Sequence, residues 1–383
     1  MTRRLYEEDS YCQRFDAVVL DCQPTNTGYA VELDTTAFFP EGGGQPADTG
    51  RLQDVRVTDV RIQQGRIWHM VGAPLRVGER VTGEIDWEMR FARMQKHTAE
   101  HVLSGIMYRR YGLDNVGFHL GSEDVTLDIN GELSRTQLED VELEANRIVG
   151  ENRAVRAEYP SSAELATLSY RSKKELDGSI RIVTIEGVDV CACCAPHVRQ
   201  TGEIGIIKIL DAIRYKGGMR LHMQAGLDAV RDYQMRYRQM AAGAALLSVK
   251  QNDLSAAIER LMAEKERLDL CLRRQNRECL RLLAESVAST HRPVYLIGEE
   301  WDSETLREAV NALAVRCGGI CAAFSGEEGA YRYALGGQGD VADFCRRMNE
   351  ALSGRGGGTA QMMQGRVQAT AAQIASFWAD AEA

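Results

Sequence analysis

The sequence predicts an α+β protein of four segments, because the spacing of its apolar residues changes three times along the 383-residue chain. Residues 1–89 alternate short apolar runs with Gly, Pro and Asn turns, which predicts a β-rich, barrel-like domain. Residues 90–225 mix helical stripes with strand-like runs, as an α/β domain does. A proline-free helical segment at 226–290 then precedes a small, glycine-rich α/β domain at 291–383.

The second segment has the clearest elements. Apolar residues between Arg90 and Tyr111 follow a helical stripe, and Gly112 is expected to end that helix. The sequence then predicts a strand at 125–129, a helix at 135–151, and strands near 180–190 and 203–210. This order of helices and strands indicates a mixed α/β domain.

The last two segments differ in their periodicity. The third has apolar residues in the 4,3 alternation of a coiled coil, at Leu254, Ile258, Leu261, Leu268, Leu272, Cys279 and Leu282. Lys265 and Gln275 occupy two intervening positions, so a coiled-coil or helical-hairpin spacer is predicted instead of a long zipper. In the fourth segment we expect strands at 294–297 and 320–324, helices near 303–315 and 339–351, and a glycine-rich loop at 353–358.

Composition and charge limit the classes of function. Hydrophobic residues make up 44% and charged residues 26% of the chain, as in folded globular proteins. Neither an apolar signal region nor a run of about 18 apolar residues occurs, so a cytoplasmic location without a membrane partner is expected. The net charge of -9 argues against strong nonspecific binding to nucleic acid. We expect the ten cysteines to be reduced thiols or metal ligands.

Two short motifs can together bind one metal ion. His97 and His101 lie four residues apart on the predicted helix, hence on one face. Cys193 and His197 have the same spacing after a predicted strand, and Pro196 favours a turn between them. Three imidazoles and one thiolate are a donor set that zinc prefers. The two motifs therefore predict a zinc site.

Alternatives to this site remain open from spacing alone. Cys191 faces the same way as Cys193 on an extended strand, so either could be the ligand. The cysteine cluster could also be small buried residues at a strand end, although this leaves His197 without a role. Residues 97–101 match the inverted zinc-peptidase signature as well, in which Glu100 would be the general base.

The order of motifs resembles a known family. Gly-Gly-Gly-Gln at 42–45 precedes the histidine motif, and Thr-Gly-Glu-Ile-Gly at 201–205 follows the cysteine motif. This arrangement resembles the editing domain of alanyl-tRNA synthetases and the free-standing AlaX proteins. The helical spacer and the glycine-rich tail resemble the C-terminal part of the synthetase. The chain is thus identified as a long form of AlaX, with a β-rich domain, a zinc-binding editing domain, a helical spacer and a C-terminal domain at 1–89, 90–225, 226–290 and 291–383.

The resemblance implies both a ligand set and a reaction. The implied zinc ligands are His97, His101, Cys193 and His197, which selects Cys193 over Cys191. The implied activity is trans-editing, the hydrolysis of seryl-tRNA(Ala) and, as a second substrate, glycyl-tRNA(Ala). A noncatalytic tRNA-binding zinc protein is a further alternative to the peptidase. The chain departs from the family at 195–196, where Ala-Pro replaces the frequent Gly-Thr, and Glu100 is expected to be a helix-surface charge.

Gln45, Thr98 and His119 are the residues expected to act on the substrate. The glycines before Gln45 allow its loop to approach the pocket closely. Thr98 and His119 are candidate partners for the serine hydroxyl, because a site that hydrogen-bonds this group rejects a substrate without it. The predicted site thus combines a metal centre with polar groups from neighbouring segments.

Transfer RNA is the expected partner of this site. Basic residues flank the histidine motif and could contact phosphates, namely Arg90, Arg93, Lys96, Arg109 and Arg110. Loops at 171–174 and 214–218 are also basic. The resemblance implies that the C-terminal domain grips the tRNA or forms a homodimer together with the spacer.

Overall fold

The structure is a computed structural model that describes residues 2–121, 124–172, 180–359 and 361–382. The chain divides into two compact units, Met1–Gln239 and Met240–Ala383. Both units combine helices with β-sheets, which confirms the predicted α+β class.

The first part of the first unit is built mainly of strands. Its elements are β1 (Arg3–Arg4), α1 (Leu5–Glu8), β2 (Arg14–Thr25), β3 (Gly28–Leu33), β4 (Thr35–Thr36), β5 (Gly50–Leu52), β6 (Val55–Gln63), β7 (Arg66–Val71) and β8 (Arg80–Ile85). Six strands pair in the order β2-β3-β7-β6-β5-β8 and close into a barrel. Alternate side chains point inward, so Val31, Leu33 and Phe38 are fully buried in its core.

The remainder of the first unit carries two further sheets. Its elements are α2 (Trp87–Tyr111), β9 (Asn115–Leu120), β10 (Val125–Ile129), α3 (Arg135–Glu151), β11 (Val155–Glu158), α4 (Ser162–Leu165), β12 (Ile182–Ile185), β13 (Asp189–Ala192), β14 (Ile207–Tyr215), β15 (Gly218–Ala225) and α5 (Gly226–Leu246). One sheet has the order β14-β15-β10-β9 and the other β11-β12-β13. Helices α2 and α3 share a core with the four-stranded sheet through Ile106, Val141 and Leu127.

Several elements of this region match the sequence prediction. Helix α2 ends at Tyr111, and Gly112 adopts a left-handed φ of 66°, as a helix stop requires. Strand β10 and helix α3 have the predicted bounds. A capping box starts α3, because the Ser134 hydroxyl accepts from the Gln137 amide and the Gln137 side chain accepts from the Ser134 amide.

The second unit is a helix followed by a five-stranded sheet with flanking helices. Its elements are α6 (Leu254–Ser286), β16 (Val294–Gly298), α7 (Ser303–Ala314), β17 (Ile320–Glu327), β18 (Ala330–Gly337), α8 (Val341–Ala351), β19 (Arg355–Thr359), β20 (Met362–Val367) and α9 (Ala371–Glu382). The strand order is β16-β17-β18-β20-β19. The predicted spacer is helical in α5 and α6. None of the described helices is long and apolar enough to cross a membrane.

The prediction of a glycine-rich loop in the C-terminal domain is wrong. Residues 355–359 form edge strand β19, which pairs antiparallel with β20. A Cβ at Gly356 would collide with the Tyr333 hydroxyl and with the backbone of β20. The glycines therefore permit close packing within a sheet. A cluster of glycines is typical of loops, which is why the sequence predicted a loop here.

A buried ion pair fastens helix α2 to the barrel. The Arg90 Nε lies 2.9 Å from the Asp48 Oδ2, and both side chains are almost completely buried. Asp48 also accepts from the Phe39 amide at 2.6 Å, while Arg90 donates to the Ala37 carbonyl at 2.6 Å. Two charges buried together require such complete hydrogen bonding. The pair thus holds the segment between Phe39 and Asp48 against the first turn of the helix.

Removing one partner of this pair should destabilise the protein strongly. Asp48→Asn would leave the Arg90 guanidinium buried without a counter-charge, and we expect a loss of about 3–5 kcal/mol in the free energy of unfolding. Urea denaturation followed by circular dichroism measures this loss. The matched control is Glu139→Gln in the exposed pair Arg135–Glu139, where about 0–0.5 kcal/mol is expected. Equal effects of the two substitutions would contradict the structural role of the buried pair.

Candidate metal centre

Four side chains from two distant parts of the sequence converge inside the first unit. His97 and His101 project from α2, and Cys193 and His197 lie in the segment that follows β13. The donor atoms of all four lie within 4.8 Å of one another. The Cys193 Sγ is 3.5 Å from the His97 Nε2 and 3.3 Å from the His197 Nε2. This group has the composition and the spacing needed to hold a metal ion.

Local geometry explains the convergence. Residues four apart on a helix lie on the same face, so the His97 and His101 rings are 5.5 Å apart between centroids. The chain turns after β13, which directs Cys193 and His197 towards that face of the helix. All three imidazoles are at most 3% exposed. Water is therefore largely excluded from the space between the donors.

Two of the imidazoles are oriented by acceptor groups from other segments. The His97 Nδ1 lies 3.0 Å from the Gln45 Oε1, and the His101 Nδ1 lies 2.9 Å from the Asp189 Oδ2. An amide oxygen and a carboxylate can only accept, so each Nδ1 carries the proton. The Nε2 of each ring is then the nitrogen left to face the other donors.

Thr98 orients the third imidazole. Its hydroxyl donates to the Met94 carbonyl at 2.7 Å and lies 3.1 Å from the His197 Nδ1. Because the single hydroxyl proton is used on the helix carbonyl, the oxygen accepts from His197. The Nε2 of His197 is thus unprotonated and directed at Cys193. Each imidazole presents the same nitrogen to the centre.

Electrostatics favours a thiolate at Cys193 and a neutral His197, whereas at His101 burial is outweighed by hydrogen bonds to Asp189 and Cys193, which raise the pKa of this imidazole well above its ordinary value. Burial alone would raise the pKa of the Cys193 thiol, but His97 and His197 hold it well below its ordinary value. Burial lowers the pKa of His197 to about 3, so this imidazole is neutral. A thiolate and a neutral imidazole are the forms that coordinate a metal ion.

Asp189 is itself held in its charged form. Burial opposes ionisation, yet hydrogen bonds from His101 and Arg171 lower the pKa of this carboxyl group. Arg171 Nε donates to the Asp189 Oδ1 at 2.8 Å. A chain of charged hydrogen bonds therefore runs from Arg171 through Asp189 to His101.

The geometry separates the two cysteines that spacing alone could not. Cys193 groups with the three imidazoles, whereas Cys191 groups with His101 and Asp189, beside the opposite ring nitrogen of His101. Burial raises the pKa of the Cys191 thiol. Cys191 is thus a buried neutral thiol behind the ligand cluster.

The glycine loop brings Gln45 into contact with the cluster. Gly43 and Gly44 have positive φ angles of 61° and 82°, and a Cβ at Gly44 would collide with the Phe118 carbonyl. Gln45 is completely buried, and its Nε2 has no hydrogen-bond partner among the described residues. The loop therefore packs directly against β9 and carries Gln45 to His97.

The other two residues expected to act on the substrate occupy different positions. Thr98 is completely buried beneath His197 and also accepts from the Val198 amide at 3.3 Å. His119 is exposed on β9. Its neighbour Phe118 faces the cluster, with its ring 4.6 Å from that of His97, and adjacent strand residues point to opposite faces. Strand geometry thus turns His119 away, and its contact with a substrate stays a prediction.

The expectation that Glu100 is a surface charge is wrong. Glu100 is 1% exposed, and its Oε1 accepts from the Ser104 hydroxyl at 2.6 Å and from the Asn115 amide. Its Oε2 lies 3.9 Å from the His101 Nε2. The i,i+4 spacing indicates only the face of α2 that carries the histidines. Glu100 lies on another face, and the sequence does not reveal that this face is buried as well.

The basic residues before the histidine motif do not form an RNA-facing surface. Arg90 is committed to Asp48, Arg93 donates to the Ala47 carbonyl at 2.7 Å, and the Lys96 Nζ lies 2.7 Å from Asp228. Arg109 and Arg110 are more exposed but share Glu144 as their partner. Of the basic loop at 171–174, positions 173 and 174 lie outside the described residues.

Sequence reasoning missed Asp189 and Arg171. Neither belongs to a motif, and their distances of 88 and 70 residues from His101 carry no spacing signal. The sequence signal for Asp189 is its alternation with Cys191 and Cys193, which places three polar side chains on one side of an extended segment. Arg171 has no such signal.

Two parts of the chain match known domain families. Residues 180–222 match the family described as the threonyl and alanyl tRNA synthetase second additional domain. Residues 14–89 match the family described as tRNA synthetases class II (A). The first match includes Cys193 and His197, and the second includes most of the barrel with its glycine loop. These two stretches of the first unit are therefore similar to parts of aminoacyl-tRNA synthetases.

Individual relatives narrow this class. The chain is 29% identical to the alanyl-tRNA editing protein AlaX-L of Pyrococcus horikoshii, over 98% of the chain and 96% of that protein. It is 28% identical to the rat alanyl-tRNA editing protein Aarsd1, over 94% and 93%. It is 34% identical to the alanine–tRNA ligase of Pyrococcus furiosus, of which it spans 42%. The recognition made from the motifs is confirmed, and the chain is a relative of the long alanyl-tRNA editing proteins.

Proposed function

We propose that the protein is a trans-editing deacylase that hydrolyses seryl-tRNA(Ala), with glycyl-tRNA(Ala) as a second substrate. The observation that carries this proposal is the buried convergence of three imidazole nitrogens and one thiolate, in a chain similar along its length to an alanyl-tRNA editing protein. An aminoacyl ester is already activated. Catalysis therefore needs mainly the orientation of ester and water and the stabilisation of developing charge.

We propose zinc as the metal at this centre. His97, His101, Cys193 and His197 supply a nitrogen and sulfur set that suits a borderline-soft ion. Zinc supplies Lewis acidity when bound. Because the chain offers four donors, one of them would have to give way to water or substrate for the ion to act as a Lewis acid, and the residues around the site would orient the ester.

Gln45, Thr98 and Asp189 are proposed as positioning residues. Each accepts from the Nδ1 of one histidine and thereby aims the corresponding Nε2. Such outer partners commonly decide both ligand orientation and metal affinity. Gln45 has a second capacity, because its unpartnered Nε2 can donate to a polar group of the substrate.

Selectivity for serine requires a partner for its hydroxyl. Thr98 and His119 are the proposed candidates, and they differ in accessibility. Thr98 lies beneath His197 and is completely buried, whereas His119 is exposed on the other face of β9. The Thr98 hydroxyl already has three hydrogen-bond partners. The hydroxyl of a seryl substrate would therefore have to share the Thr98 oxygen with them or displace one of these partners.

The remaining parts of the chain are proposed to serve tRNA binding. Residues 90–225 form the editing domain in this proposal, with the barrel domain at 1–89 supplying Gln45. The spacer at 226–290 and the C-terminal domain at 291–383 grip tRNA(Ala) or form a homodimer. A cytoplasmic location belongs to the same proposal, since its substrate is made there.

One observation favours a second function, a zinc metallopeptidase. Glu100 is buried in the His-x-x-Glu-His motif, and its Oε2 lies 3.9 Å from the His101 Nε2. In that class of enzyme the glutamate is the general base. The two hydrogen bonds that Glu100 receives from Ser104 and Asn115 favour instead a structural role in the core of α2.

The deciding experiment is a deacylation assay with purified protein. We expect hydrolysis of seryl-tRNA(Ala), slower hydrolysis of glycyl-tRNA(Ala), and little hydrolysis of alanyl-tRNA(Ala). Cys193→Ser should lower kcat/KM by at least about 100-fold, beyond the 10–100-fold typical of outer-partner losses. Cys279→Ser, an exposed cysteine on α6, is the matched control. Binding of mischarged tRNA without turnover would instead indicate a noncatalytic protein.

Loss of an outer partner should weaken metal binding. Asp189→Asn removes the charge that joins His101 to Arg171, and we expect about a 10–100-fold lower zinc affinity. Competition with a chromophoric chelator measures the affinity. The control is Asp140→Asn on the exposed face of α3. An unchanged affinity in Asp189→Asn would remove the proposed positioning role.

Substitution of Glu100 separates the two enzymatic functions. Glu100→Gln keeps the side-chain shape and removes the base, so a peptidase should lose nearly all activity on a peptide library. A deacylase should keep its activity on seryl-tRNA(Ala) within about tenfold, the scale of one perturbed hydrogen bond. Circular dichroism controls for folding. Peptide cleavage by the wild type that disappears in Glu100→Gln would overturn the editing proposal.

A further inference from the structure

Arg181 is a buried cation that pairs with no carboxylate of the described residues. It is 5% exposed, and its Nη1 donates to the carbonyl oxygens of Cys193 at 3.0 Å and Ala195 at 2.8 Å. Its Nε has no hydrogen-bond partner in the described part of the chain. Burial of an uncompensated charge is unfavourable, so a guanidinium in this state is suited to receive an anion.

Arg181 lies against the segment that carries two of the proposed metal ligands. The Arg181 carbonyl accepts from the Cys193 amide at 3.0 Å. The Arg181 Nη1 donates to two carbonyl oxygens of the same segment. The guanidinium therefore brackets the backbone from Cys193 to Ala195. An anion bound to this guanidinium would lie beside the backbone that carries the ligands Cys193 and His197.

The side chains around this corner suit the end of an RNA strand. Tyr159 and Cys194 are exposed, and the charge of Arg181 acts against the burial that raises the pKa of Tyr159 to about 12. Among the described residues of this corner, Glu7 bonds Tyr159 and pairs with Arg4 at 3.0 Å. Glu7 thus has a basic partner of its own.

The glycine loop borders the same corner. A Cβ at Gly42 would lie 3.8 Å from the Cys194 Sγ, and one at Gly43 would lie 3.6 Å from it. The loop that carries Gln45 to the metal centre therefore also approaches the Arg181 corner. A ligand that entered beside Cys194 would meet both.

We propose that Arg181 binds the phosphodiester that joins the last two nucleotides of the mischarged RNA, so that the terminal ester reaches the His and Cys cluster. The inference rests on the proposed deacylase function and names a residue of its substrate site. A guanidinium fork matches a phosphate in geometry and charge. Tyr159 offers an exposed ring on which the terminal base can stack.

The test compares two small esters, of which only the second carries this phosphate together with its cytidine, and the Arg181 variants isolate the contribution of the phosphate. One is the seryl ester of adenosine, and the other is the seryl ester of the dinucleotide CpA. We expect the wild type to favour the CpA ester by about tenfold or more in kcat/KM, the effect of one charge-assisted hydrogen bond. In Arg181→Gln this ratio should fall to about one, and Arg181→Lys should restore part of it. A ratio unchanged in Arg181→Gln would overturn the inference.

The matched control is Arg199→Gln, an exposed arginine already paired with Asp9 at 2.9 Å, which should keep the wild-type ratio. Metal content and circular dichroism of each variant report on folding. Should Arg181→Gln not fold, inhibition of the wild type decides: CpA should inhibit about tenfold more strongly than adenosine. Equal inhibition would contradict the phosphate contact.

Failure of the inference is distinguishable from failure of the proposed function. A wild type that hydrolyses seryl-tRNA(Ala) but does not distinguish the two small esters lacks the phosphate contact. A wild type that hydrolyses none of the esters is not a deacylase. In that case calorimetric titration with CpA and adenosine still tests Arg181, because equal affinities would exclude a phosphate site there.

Discussion

The buried ion pair between Arg90 and Asp48 sets the geometry on which the candidate centre depends. Asp48 closes the segment that contains the glycine loop, and Arg90 lies two turns before His97 on α2. Because both charges are excluded from water, neither can move without losing its hydrogen bonds. The pair therefore holds the barrel against the helix in one position. In that position the Gln45 Oε1 lies 3.0 Å from the His97 Nδ1.

The three histidines are oriented by three different parts of the first unit. Gln45 comes from the barrel, Thr98 from α2 itself and Asp189 from β13. Each supplies an acceptor for one Nδ1, so all three rings turn the Nε2 towards the centre. Such an arrangement couples the metal centre to the packing of the whole unit, since displacing any one segment would release one imidazole.

Several charged side chains of this unit have their partners in its interior. Arg90, Arg93 and Lys96 bind internal acceptors, and Arg171 supports Asp189. Arg181 differs because backbone carbonyls bind it but no carboxylate of the described residues balances it. In a chain with a net charge of -9, such a cation is a local exception to the overall charge balance. Local charge is thus more informative about RNA contact than the overall balance.

The sequence by itself determined the α+β class, most elements of the first unit and the residues able to form the centre. Periodicity predicted α2 with its glycine stop, β10 and α3, because amphipathic spacing and left-handed stops are local properties. The i,i+4 pairs and the motif order likewise indicated His97, His101, Cys193 and His197.

Only the tertiary structure decided which neighbours these residues have. It separated Cys193 from Cys191, buried Glu100, turned His119 away from the centre and made the tail glycines an edge strand. It also brought Asp189, Arg171 and Arg181 to the centre, although none belongs to a motif. These outcomes depend on contacts between residues far apart in the chain, and local spacing carries no information about such contacts.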